Sequence, residues 1–408
     1  MRFPLLAAWL GCVSAGPALA DYSVFYDPAQ NLPPVFRLDL PAEHGNALEA
    51  RASAYGQSSQ IVDVRCDGQP LAHDGMGRWR LPPQCRQVEW RVALKMPPPD
   101  GANVSLQQSL GFPGWVLLSS STALLAEPGR EAAATLRIRV PGQAESLAAI
   151  PAAGQAPEFY AIGKTQETVR QVAGLRVRYV ADDLERVTRR GLLDLHAEAL
   201  TALRRIFPPP AAHAPFADDL LVVMLGRNNA SSAFGAGGLH GLLANYPRET
   251  AARDTFLLAL LAHEQAHQLL ALGEVKQGST WMAEGLAHYY GLKVMRQSTL
   301  PEAEKEKVWR LFIKPEAPVA QGLIALQQRY RDGDQSVYPL FYSQGATFFA
   351  ELDQALQSAS QGKHSLDDFI PQLRTQADGS LPDALLAQLR ETGGERVDAL
   401  AARYLGKG

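Results

Sequence analysis

The chain is expected to fold as an α+β protein in three parts: an all-β domain over 21–150, a mixed lobe over 158–300 and a helical lobe over 301–408. Three features carry that expectation. Apolar and polar residues alternate at period two between Asp21 and about Pro151. Two strand-like runs then lead into a long apolar helix, and from Pro301 onward the apolar spacing is helical. Strands followed by helices suit an α+β lobe.

Residues 1–20 read as a secretory signal removed before Asp21. Arg2 supplies the positive start, Leu5 to Leu10 the apolar stretch, and Ala18-Leu19-Ala20 the small-x-small cleavage site. Cys12, after Leu10-Gly11, also suits a lipoprotein processing site; Trp9 stands where such a site prefers Leu, and ordinary cleavage is the preferred reading. Export would place the mature chain in the periplasm or outside the cell. Cys66 and Cys85 then remain, and an isolated pair in an oxidising compartment is most simply a disulfide.

In the β domain, Val62, Val64 and Cys66 alternate with Asp63 and Arg65. Val88, Trp90, Val92 and Leu94 alternate likewise, as do Leu136, Ile138 and Val140, with turns at Asp67-Gly68 and Pro82-Pro83. The stretch from Pro151 to Pro157 is the expected linker. Leu175 to Val180 and Asp219 to Leu225 are expected strands, separated by a helix with apolar residues from Leu184 to Ile206. The Gly237 region is an expected edge strand. Thr255 to Leu272 reads as one apolar helix, interrupted by His263, Glu264 and His267 before it reaches the length of a membrane span.

The pentad His263-Glu264-Gln265-Ala266-His267 places two imidazoles four residues apart on one helix face, within reach of a single ion. This is the His-Glu-x-x-His pattern of zinc hydrolases, in which the histidines bind Zn2+ and the Glu is the general base. Glu264 cannot easily ligate, because adjacent helical residues diverge by about 100° around the axis. Glu284, in Trp281-Met282-Ala283-Glu284-Gly285, is the expected third ligand, with one position left for water. Glu274 is the alternative, on a loop with no helix to fix it. His288, one turn beyond Glu284, either orients a ligand or is simply a buried polar residue.

On these residues the chain resembles the gluzincin zinc metallopeptidases, and within them the aminopeptidase N and glycyl-aminopeptidase families. The run from Trp281 to Tyr290 is similar to their Trp-x-x-Glu-Gly-x-x-x-Tyr helix, and Tyr342-Ser343-Gln344-Gly345-Ala346 to their Tyr-x-Lys-Gly-Ala. The resemblance implies a thermolysin-like catalytic lobe. It also implies that the Tyr342 hydroxyl donates to the oxyanion, with Tyr338, one turn earlier, as its substitute. Gly237-Gly238-Leu239-His240-Gly241 resembles the Gly-Gly-Leu-Glu-His of the glycyl-aminopeptidases, an edge strand along which substrate lies. Gly237, Gly238 and Leu239 are therefore expected to meet the substrate backbone. His240 replaces the Glu that, in the aminopeptidase N family, grips the substrate's free amino group. Sixteen residues separate His267 from Glu284, slightly fewer than in the aminopeptidase N pattern.

A net charge of −3 leaves no electrostatic footprint for nucleic acid, and 46% apolar with 20% charged residues is ordinary for a globular chain. Asn103-Val104-Ser105 and Asn229-Ala230-Ser231 match the glycosylation sequon. The expected partner is a peptide or protein substrate, with no nucleic acid and no stable membrane span after signal removal; the oligomeric state is not written in the sequence. The expected function is an exported zinc-dependent metallopeptidase using a zinc-activated water with Glu264 as general base. Aminopeptidase and endopeptidase action both stay open. Two other readings remain: an inactive gluzincin-fold protein that binds peptides or envelope components, and a zinc hydrolase of a non-peptide bond.

Overall fold

The computed structural model describes residues 21–30, 32–51, 58–97, 108–129, 134–152, 155–207, 218–228, 235–252, 254–272 and 278–406. The signal segment with Cys12, the alternative ligand Glu274 and both sequons lie outside the described residues. The fold is α+β, with sheets gathered toward the N-terminus and helices toward the C-terminus.

The period-two pattern of the N-terminal part becomes three sheets. The largest has seven strands, with Asp21–Phe25 in its interior, parallel to Ala134–Arg139 and antiparallel to the central strand Val35–Asp39. Its alternation is visible as burial: Phe36 and Leu38, then Val88, Trp90 and Val92, all point inward. Trp90 stacks on Phe36 with centroids 5.4 Å apart, and its indole N–H donates to the Ala123 carbonyl at 2.8 Å, so this large ring is buried with its polar atom satisfied. Cys66 and Cys85 are joined in a disulfide.

One expected alternation fails. Val62 is exposed, while Ile61 and Val64 face the core. The register of Ile61–Cys66 against Gln87–Val92 shifts between Val62 and Arg65, and Asp63 sits at φ 52°. An extra residue in one strand reverses the side chains that follow, which a strict period-two reading cannot anticipate.

The strand Phe159–Gly163 pairs with Trp115–Ser119, so the chain returns to the N-terminal sheets after Pro157. Phe159 there shares a small apolar cluster with Val180, Val223 and Leu243 of the next sheet. That next sheet has five strands in the order Gln166–Val172, Leu175–Ala181, Asp219–Arg227, Gly241–Pro247, Gly235–Gly237. Its central pairs are parallel, and the short edge strand Gly235–Gly237 runs antiparallel.

Leu192–Ile206 and the pentad helix, Asp254–Leu272, share the main core with the face of this sheet formed by Val222, Leu242 and Ala244. At the start of the pentad helix, Asp254 is held by the Arg190 guanidinium through Nε at 2.8 Å, a carboxylate placed at the positive end of the helix dipole. The helix Thr280–Met295 follows and is buried almost all round, with the Trp281 indole donating to Gly379 at 2.9 Å. The C-terminal helices, among them Ala346–Ala359, Asp383–Gly393 and Glu395–Leu405, close over it. Among the described residues no helix is long and apolar enough to cross a membrane.

Candidate metal centre

Two antiparallel demands shape this site: two helices must come close enough for their side chains to share an ion, and their backbones must not collide. Glycines answer the second. A Cβ on Gly291 would stand 2.9 Å from the His263 backbone nitrogen, and one on Gly285 would stand 2.9 Å from the Gly345 Cα. The Thr280–Met295 helix can therefore lie against the pentad helix on one side and against the turn carrying Tyr342 on the other. Gly285→Ala is expected to lower stability by about 1–3 kcal/mol through this overpacking. Gly45→Ala, where nothing lies within 4 Å, should not. Urea midpoints of the two variants decide it.

With the helices so placed, His263, His267 and Glu284 converge. The two imidazoles meet edge-on with centroids 4.5 Å apart and Nε2 atoms 3.1 Å apart. Glu284 Oε2 lies 3.3 Å from His263 Nε2 and 3.2 Å from His267 Nε2. Three donors held about 2.0–2.1 Å from one tetrahedral ion stand about 3.3 Å apart, so this triangle and this His₂Glu donor set fit zinc.

The charges agree with the geometry. Burial alone would raise the Glu284 carboxyl, but His267 and His263 outweigh it and hold it well below the usual carboxylate range. Burial would likewise lower His267, yet the Glu284 carboxylate outweighs it and raises it. The pocket thus favours positive charge beside a carboxylate, which suits a divalent cation.

Tyr338 is the group that orients Glu284. Its hydroxyl donates to Glu284 Oε1 at 2.8 Å and accepts from the Tyr342 hydroxyl at 3.2 Å. Both tyrosines are pushed up in pKa, first by burial and then by Glu284, so they remain donors. Tyr342 sits in a π-helical turn, Phe341–Gly345, between the short helix Tyr338–Leu340 and Ala346–Ala359. Such a turn re-aims a side chain within a helix, and here the Tyr342 ring faces His263 at 5.4 Å and His288 at 5.5 Å.

Glu264 stays out of the triangle and meets the edge strand instead. Its carboxylate accepts the Gly237 backbone N–H. A Cβ on Gly237 would stand 2.9 Å from Glu264 Oε2, and one on Gly235 3.0 Å from Oε1. Burial raises the Glu264 carboxyl above the usual Glu range, although His263 and His267 pull against it. Gly235 was not a sequence candidate; its signal was a glycine two residues before Gly237, at the period of a strand face.

The other glycine-segment residues point elsewhere. Gly238 packs against the Pro157 carbonyl and the Phe159 ring, and the Leu239 N–H donates to Pro157 at 2.8 Å. His240 is buried with Nδ1 2.7 Å from Glu158 Oε2, a partner 82 residues away that no local motif could indicate. Glu158 and His240 line a cavity of about 720 Å³ with Arg178 and Leu221, and none of the three metal donors reaches it. His288 is buried against the ring of Phe312 at 4.2 Å and that of His263 at 5.2 Å. Burial first, and the neighbouring His263 next, hold it well below the usual histidine range, so it is neutral.

No protein-family model and no curated protein matches the sequence. Among solved structures the chain is similar to the crystal structure of an aminopeptidase N family protein from Idiomarina loihiensis, at a TM-score of 0.68 and 14% identity, covering 96% of this chain and 76% of that one. The likeness extends over nearly the whole chain and establishes the fold: this protein is built as that aminopeptidase N family protein is built.

Proposed function

We propose that the protein is a zinc-dependent peptidase. The observation that carries this reading is the His263–His267–Glu284 triangle with Glu264 beside it, gripped by an edge strand. The fold shared with an aminopeptidase N family protein supports it. When bound, zinc supplies a Lewis acid for the scissile carbonyl and acidifies water toward a pKa of about 7.

The chain's own residues supply the rest. Glu264, buried and raised in pKa, takes the proton from the attacking water and returns it to the leaving amine. The Tyr342 hydroxyl, held protonated, turns from Tyr338 to donate to the developing oxyanion. Tyr338 keeps Glu284 turned toward the two histidines. Gly235–Gly237 ends the five-stranded sheet, and its outer edge pairs with no other described strand. An extended peptide adds there by backbone hydrogen bonds, which sets its carbonyl near Glu264.

Export is part of the same reading. Residues 1–20 are the signal, and the Cys66–Cys85 disulfide suits an oxidising compartment such as the periplasm. Chelation is the direct test. Peptide hydrolysis should fall to background when zinc is stripped and return when stoichiometric zinc is added. Hydrolysis that ignores the chelator would remove the metal from the account.

A further inference from the structure

Two buried polar atoms near the metal donors have no hydrogen-bond partner: His263 Nδ1 and His288 Nε2. Both side chains are more than nine-tenths buried, at 2% and 6% exposure. Their rings meet at 66° with centroids 5.2 Å apart, and no direct hydrogen bond joins the two nitrogens; an orphaned donor and an orphaned acceptor on neighbouring buried rings are what one enclosed water bridges.

The chemistry of each ring fixes the direction. If His263 Nε2 faces the shared ion, the proton of the neutral ring sits on Nδ1, which must then donate. A buried donor without an acceptor is costly. The rings packed on His263 belong to His267, Tyr342 and His288. His267 turns its Nε2 into the donor triangle, and the Tyr342 hydroxyl donates to Tyr338 and makes no hydrogen bond to His263 Nδ1. We propose that His288 Nε2 accepts the hydrogen bond of His263 Nδ1–H through one enclosed water, and is the positioning residue that sets the tautomer and aim of that ligand.

His288 sits one helical turn after Glu284, so one face of one helix delivers a ligand and the support for a second ligand. Phe312 packs against its ring at 4.2 Å. The helix thus couples the two halves of the donor set.

This inference rests on the metal-site reading above. Its test is the zinc affinity of wild type, His288→Phe and His288→Gln, measured by competition with a chromophoric chelator, beside urea unfolding of each zinc-free protein. His288→Phe fills the space without an acceptor and should bind zinc about 10–100-fold more weakly, the usual cost of losing such a partner. His288→Gln keeps an acceptor and should recover most of that loss, whatever the two substitutions do to zinc-free stability. Wild-type affinity in His288→Phe, or no recovery in His288→Gln, would overturn the proposal. A wild-type protein that binds no zinc would instead overturn the metal-site reading itself.

Discussion

Glu264→Gln is expected to reduce kcat for peptide hydrolysis by at least about 10²–10⁴-fold, the contribution of a positioned general base, while zinc binding is unchanged. The side chain keeps its shape, and its amide oxygen still accepts the Gly237 N–H that Glu264 accepts now. The edge strand and its two close glycines, Gly235 and Gly237, therefore have no reason to move. What disappears is a carboxylate able to take a proton from water. The measurement is steady-state hydrolysis of a peptide beside zinc stoichiometry for the same preparations. Full zinc occupancy with near-normal kcat would show that Glu264 is not the base.

Glu284→Ala should act at the other end of the machinery and remove metal as well as activity. It deletes one corner of a triangle whose sides are 3.1, 3.2 and 3.3 Å. It also removes the carboxylate that raises His267 and accepts from Tyr338. Two imidazoles remain, without the negative charge that favours a dication. The loss in zinc affinity should exceed the roughly 10–100-fold expected when only an outer hydrogen-bond partner is lost. Equilibrium dialysis against a zinc buffer reads it. A Glu284→Ala protein that keeps wild-type affinity would place the third donor elsewhere, with Glu274 the first residue to examine.

The contrast between these variants reflects what could be read from the chain unaided. The α+β class was legible, because period-two runs before Pro151 and helical runs after Pro301 are local patterns. The pentad and Glu284 were legible for the same reason: helical spacing places His263 and His267 on one face, and the residues around Glu284 continue as a helix. Contacts between distant segments were not. The bulge at Asp63 turned Val62 outward against the alternation. Phe159–Gly163 crossed back to pair with Trp115–Ser119. His240, read only as a missing Glu, found Glu158.

The glycines tell the same story. Gly285 and Gly345 stood inside quoted motifs, yet their purpose, letting two helices touch, appears only when both backbones are placed. Tyr338 looked like a substitute for Tyr342 because the two are one turn apart. In the structure Tyr338 donates to Glu284 and Tyr342 donates to Tyr338, a link to the third ligand that spacing alone does not show.

The measurement to make first is a mass-spectrometric survey of a mixed peptide library incubated with the zinc-loaded mature protein, with Glu264→Gln alongside. Cleavage by the wild type and intact peptides with the variant are the expected result. Stepwise loss of N-terminal residues would identify an aminopeptidase, and internal cuts an endopeptidase. A zinc-loaded wild type that leaves every peptide intact would contradict the peptidase reading and leave the same site to peptide binding or to a bond of another kind.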